Sequence, residues 1–127
     1  MGEKRNLLGE TLTFLAAVGK SPRDVLWVGS EDGRYALSWE EFAQIADVEY
    51  DPGYGAQKIA VDLVVVGDGW WLERWEYDGA EGWSFKECPV RQPDAEPFRA
   101  VKGDLWPRLA WLQEHQPQDV VLEGGED

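Results

Sequence analysis

The sequence predicts an α+β fold: a single domain whose antiparallel sheet, a hairpin plus a three-stranded meander, carries helices packed on one face. Three features lead there. Apolar residues recur at helical spacing near both ends of the chain. Asp-Gly turns punctuate β-branched and aromatic runs in the middle, the pattern of strands joined by tight turns. The order helix, hairpin, helix, meander, helix suits one sheet with helices on a face. With 127 residues, 43% hydrophobic and 13% aromatic, the chain has the size and apolar content expected of one domain spanning 1–127.

Each element has a local reason. Leu7, Leu8, Leu12, Leu15 and Val18 mark an amphipathic helix within 1–20, and "GKSP" stops it. The sheet and an inserted helix are expected over 24–90. "DVLWVGS" reads as a strand, "EDG" as a tight turn and "RYALS" as the returning strand. Ser38 and Glu41 form a capping box that starts a short helix through "WEEFAQIA", with Trp39, Phe42 and Ile45 as its buried edge. "DVEYDPGYGAQ" then reads as a loop of about ten residues, long for a compact domain and of the kind that carries function.

"KIAVDLVVV", "WWLERWEY" and "WSFKECP" are the meander strands, turned by "GDG" and "DGAEG". Alternation along the middle strand sets Trp71, Glu73, Trp75 and Tyr77 on one face and Trp70, Leu72, Arg74 and Glu76 on the other, so aromatics occupy both faces. A last helix is expected over 104–115, capped by Asp104, with Pro107 in its first turn and Leu105, Leu109 and Leu112 as its apolar stripe. An acidic tail, 118–127, follows.

Charge restricts function more than any motif does. Twenty-five acids against twelve bases give a net charge of −13, which repels nucleic acid and anionic membranes. The segment from Glu31 to Glu81 holds thirteen acids and three bases, Arg34, Lys58 and Arg74. One cysteine, Cys88, excludes an internal disulfide and a multi-cysteine zinc site. The first residues lack the apolar core of a signal peptide and no run is long enough to span a bilayer. The expected compartment is a reducing cytoplasm.

Catalytic patterns are sparse, and the chain reads as a non-enzyme with no cofactor and no metal. His115 falls at a helix end, where a cation is ordinary electrostatics, and Cys88, beside Pro89 at a strand end, reads as a small packing residue. Glu73 and Glu76, three apart on a strand, point to opposite faces and cannot flank one bond, although Glu73 with an acid from a neighbouring strand stays open as a small hydrolase acting on carbohydrate. Asp47, Glu49 and Asp51 resemble the start of a calcium loop, but Pro52 stands where glycine is needed and Lys58 where the bidentate acid is needed.

Binding is the better reading. Four of the eight tryptophans lie between Trp70 and Trp83 among carboxylates. Most of Trp27, Trp39, Trp83, Trp106 and Trp111 are assigned to packing, and Trp70, Trp71 and Trp75 to surface anchoring. Carboxylates spaced along a surface can imitate the phosphates of a duplex. The expected partner-binding set is Glu40, Glu41, Asp47, Glu49, Tyr50, Asp51, Tyr54, Trp71, Glu73 and Trp75, the acids steering towards Lys and Arg and the aromatics anchoring. The alternative is a protein–protein interaction module working through its aromatic surface, with charge serving solubility.

The segments "WVGS", "SWEEFAQIADVEYD" and "DLVVVGDGWWLERWEYDG", within residues 24–83, resemble a family of small uncharacterised proteins of phages, plasmids and integrated elements of Gram-positive bacteria. That family has no assigned activity, so the resemblance carries over no site residue. It implies a context in which small acidic proteins inhibit host defence, anti-CRISPR proteins among them, by occupying basic nucleic-acid channels of effector complexes. The partner it implies is the basic protein surface of a nucleic-acid-handling host complex, with no direct contact to nucleic acid or membrane.

Overall fold

The computed structural model describes residues 4–53 and 55–115, and the chain divides into two compact units at Pro89–Val90. The first unit is built on a five-stranded antiparallel sheet. Its strands are β2 (Val25–Ser30), β3 (Ala36–Leu37), β5 (Leu63–Gly67), β6 (Trp70–Tyr77) and β7 (Ala80–Glu87), ordered β3-β2-β5-β6-β7. A second, two-stranded ribbon pairs β1 (Arg5–Asn6) with β4 (Glu49–Tyr50). Helices α1 (Leu7–Ala17) and α2 (Trp39–Ala46) complete the unit. The fold is α+β, with the hairpin and meander that the turn chemistry predicts.

Helix α1 is shorter than the expected 1–20. The Asn6 side chain accepts the Gly9 N–H at 2.9 Å and caps the helix, while Arg5 and Asn6 are drawn into the ribbon with β4. At the other end Gly19 takes φ +78°, and the Gly19 and Lys20 amides bond back to Ala16 and Leu15. This double closure needs a left-handed residue and ends the helix. Leu7, Thr11 and Leu15, one turn apart, form the buried stripe, whereas Leu12 is exposed.

The capping box of α2 is present, Glu41 N–H donating to Ser38 Oγ and Ser38 N–H to the Glu41 carboxylate. Phe42 and Ala46 are its buried residues. Trp39 packs half-buried on Phe42, and Ile45, expected in the core, is 63% exposed. The β2–β3 connection is longer than an Asp-Gly hairpin. Asp32 accepts from the Ser30 hydroxyl and the Arg34 amide, and Ser30 Oγ accepts the Tyr35 amide, so side chains hold the turn and leave only two residues of return strand.

The meander corrects two boundaries. Lys58 and Ile59, expected in a strand, donate their amides to the Glu81 carboxylate at 2.8 and 3.3 Å, and pairing starts only at Leu63. The turn expected over 78–82 is two residues: Asp78 and Gly79 take φ +52° and +89°, and Tyr77 pairs with Ala80. Two left-handed residues match the twist of the flanking strands, so Ala80 to Gly82 belong to β7.

Register fixes the faces. Val28, Val65, Leu72 and Phe85 form one cross-strand row and Trp27, Val66, Trp71 and Lys86 the next. The first row faces α1 and α2, giving a core of Leu7, Leu15, Val28, Phe42, Ala46, Val65, Trp70, Leu72 and Trp83. The second row faces the other way. Trp70, expected as a surface anchor, is therefore core.

The second unit, described over 90–115, contains α3 (Leu109–His115). The helix starts five residues later than expected. Trp106 has φ +48°, and the residue before a proline is disfavoured in the helical region, so Pro107 precedes the helix. Gln113 holds the preceding chain, its amide oxygen accepting from Arg99 and Ala100 and its amide nitrogen donating to the Ala100 carbonyl. Of the predicted stripe only Leu112 is buried. Trp106, expected to pack, is 90% exposed, and Trp111, half exposed, stacks on His115 at 4.4 Å. The expected tail, 118–127, lies outside the described residues.

Candidate functional site

Two surfaces of the first unit carry the residues expected to bind a partner, and the sheet separates them. On one side are the acids of α2 and of the β1–β4 ribbon. On the other are Trp71 and Glu73; Trp75, set on that face by parity, reaches the β7 edge and lines a recess with Arg5, Asn6, Glu10 and Pro52.

The acidic surface is more ordered than a loop. The Leu7 amide donates to the Val48 carbonyl at 2.9 Å, Asn6 Nδ2 donates to Asp47 Oδ1 at 2.8 Å, and Asn6 pairs with Glu49. Strand alternation about Tyr50 then turns Glu49 outward. Glu40, Glu41, Asp47 and Glu49 are exposed and Asp51 is half-buried. The ion pairs found among the described residues involve Glu10, Glu73 and Glu81 as acids, and none of these five carboxylates is in one of them. Among the described residues no group of three or more His, Cys, Asp or Glu side chains is placed to hold a metal.

Tyr50 departs from expectation. It is 7% exposed, its hydroxyl donates to Glu10 Oε1, and Arg74 Nη2 donates to it at 3.1 Å. Burial, with the Glu10 hydrogen bond, raises its pKa above the usual phenol value. Tyr50 is thus an internal anchor of the ribbon rather than a surface contact. Tyr54 lies outside the described residues.

Beneath the ribbon lies a cluster that sequence reading missed. Arg74 Nη2 is 3.1 Å from Glu81 Oε1 and Arg74 Nη1 is 3.5 Å from Glu10 Oε2. The guanidinium also lies 4.7 Å from the Trp83 ring. Arg5 bonds Glu10 and the Glu81 carbonyl, each at 3.2 Å. Among the described residues Arg74 Nε is buried with no hydrogen-bond partner. The available signal was parity: Arg74 shares the face of Trp70 and Leu72, and an arginine on a core-facing parity requires carboxylates. The side-chain partners, contributed by α1, β4 and β7, could not be read from β6 itself.

On the opposite face, Trp71 Nε1 donates to Glu73 Oε1 at 2.8 Å and Lys86 Nζ lies 3.4 Å from Glu73 Oε2. The Trp71 hydrogen bond, with Lys86 assisting, holds the Glu73 carboxyl below its ordinary range. Trp27, Glu31, Val64, Val66, Trp71 and Glu73 line a recess of about 400 Å³. Trp75 is 42% exposed and lies over Gly82, and its indole donates to the Trp83 carbonyl at 3.0 Å. Cys88, expected to pack, is exposed.

The chain matches no protein-family model, no curated protein and no solved structure. No helix among the described residues is long and apolar enough to cross a membrane.

Proposed function

We propose that this chain is a binding protein whose acidic edge docks on a basic, nucleic-acid-binding surface of another protein and blocks it by charge mimicry. The observation that carries the reading is the set Glu40, Glu41, Asp47, Glu49 and Asp51, on α2, its C-cap, β4 and the residue after it, and in no ion pair found among the described residues. Carboxylates that a fold leaves without cations are free to be neutralised by a partner's Lys and Arg, and charge complementarity of this kind steers encounter. The sequence resemblance suggests the setting: a mobile-element protein that inhibits a bacterial defence effector.

Competition tests this reading. Mixed with a defence effector that binds nucleic acid, the chain displaces labelled nucleic acid from it. A stable complex containing effector, nucleic acid and this chain together would contradict the mimic.

A second reading has its own observation. Tyr77 is exposed on the sheet face that α1 and α2 leave uncovered and Trp75 is part-exposed at the β7 edge, which favours an interaction module that works through aromatic contact. Because the acids and Trp71 lie on opposite sides of the sheet, a variant of one leaves the other intact.

A further inference from the structure

We infer that the recess between Trp27 and Trp71 binds an arginine side chain displayed by a partner protein. This site is separate from the acidic edge and does not depend on that proposal, since α2 packs on the other face of the sheet.

The walls follow from register. Trp27 pairs with Val66 and Val66 with Trp71, so the two indoles stand on either side of a valine. Two inter-strand spacings place their backbones about 10 Å apart. A gap of that width admits one flat group between the two side chains. Val64 and Val66 form an apolar floor, and Glu31 and Glu73 supply negative charge at the rim. A site with aromatic walls, an apolar floor and two carboxylates is complementary to a cation that is planar and weakly hydrated. Guanidinium has these properties and stacks on indole, whereas a compact ammonium holds its water more tightly.

Glu73 is already set for this role. The Trp71 N–H fixes one carboxylate oxygen at 2.8 Å, and the other faces the Lys86 ammonium at 3.4 Å, half exposed on the neighbouring strand. Lys86 shows that this oxygen accepts a cation, and it is also a competitor for an incoming one. The recess therefore makes a prediction of opposite sign for two neighbours: removing Glu73 weakens arginine binding, and removing the Lys86 charge strengthens it.

The test is a titration of the full chain, followed through its indole N–H resonances, with a capped Gly-Arg-Gly peptide. Trp27→Phe and Trp71→Phe assign the two signals. The neutral citrulline peptide and a neutral cello-oligosaccharide serve as comparisons. The arginine peptide should shift the Trp27 and Trp71 signals saturably at concentrations on the order of 1–10 mM, as expected of a single side chain. Citrulline should leave them in place. Glu73→Gln should weaken binding by about threefold or more, the scale of one partly exposed charged contact, and Lys86→Gln should tighten it, with the other indole signals unmoved in both variants. No shift on the order of 50 mM arginine peptide, an equal shift with citrulline, or a response to the sugar alone would each overturn the assignment. None of these results bears on docking by the acidic edge.

Discussion

Arg74 on β6 and Glu81 on β7 meet at 3.1 Å with side chains 0% and 1% exposed. They are not cross-strand partners, since Arg74 pairs with Trp83 and Glu76 with Glu81. Their contact runs diagonally on the helix-facing side of the sheet, and Glu10 and Tyr50 join it. One buried cation thus ties α1, β4, β6 and β7 together. Glu81 also accepts two amides from the segment before β5, which makes it the residue that satisfies backbone groups no strand pairs.

Replacing Arg74 by Leu should be severe. Removing one partner from a buried ionic cluster leaves uncompensated charge and costs about 3–5 kcal/mol. Glu81→Gln should cost less than Glu81→Leu, because an amide oxygen still accepts from Lys58 or Ile59. Urea unfolding of the three variants checks the order.

Tyr50→Phe separates the hydroxyl from the ring. The folded-state pKa of Tyr50 is raised, so its contribution is fully present below the unfolded value near 10.0 and is lost as pH rises through the folded value. Wild type should lose stability relative to Tyr50→Phe above about pH 10. Parallel denaturation curves from pH 8 to 11 measure it, and a constant difference would contradict the linkage.

Gly29 tolerates no side chain. A Cβ there would lie 1.9 Å from the Tyr35 carbonyl oxygen, a backbone atom that cannot turn aside. Gly29→Ala should cost about 1–3 kcal/mol, whereas Gly53, with nothing within 4 Å, should accept alanine with a much smaller change in the thermal midpoint.

Trp75 has a structural duty besides any contact it makes. β7 ends the sheet, and its Trp83 carbonyl is capped by the Trp75 indole while the Glu81 carbonyl is capped by Arg5. Unpaired edge groups invite strand pairing between chains. Trp75→Ala should raise concentration-dependent self-association, read by sedimentation velocity.

Local chemistry was legible in the sequence and long-range chemistry was not. The Ser38 box, the places of the Asp-Gly turns and the parity of β6 depend on neighbours a few residues away, and each is present in the fold. Tyr50 was misplaced because its environment is set by Glu10 and Arg74, which are 40 and 24 residues distant. Val25–Ser30 kept its strand, but its partner shrank because Ser30 and Asp32 side chains took the hydrogen bonds of the turn. The acids of the candidate site were visible as a charge run. That the sheet would divide them from Trp71 depended on which face α2 covers, and no single segment encodes that choice.

Capture from lysate tests the acidic-edge proposal most directly. Tagged wild type is compared with Glu40→Lys/Asp47→Lys/Glu49→Lys, which spares Glu41 because it caps α2, and with Trp71→Ala, each eluted by a salt gradient and identified by mass spectrometry. The expected result is a nucleic-acid-handling complex released from wild type at moderate salt, lost in the triple variant and retained by Trp71→Ala. Capture that survives both high salt and reversal of the three acids, and fails with Trp71→Ala, would contradict charge mimicry and transfer the function to the aromatic face.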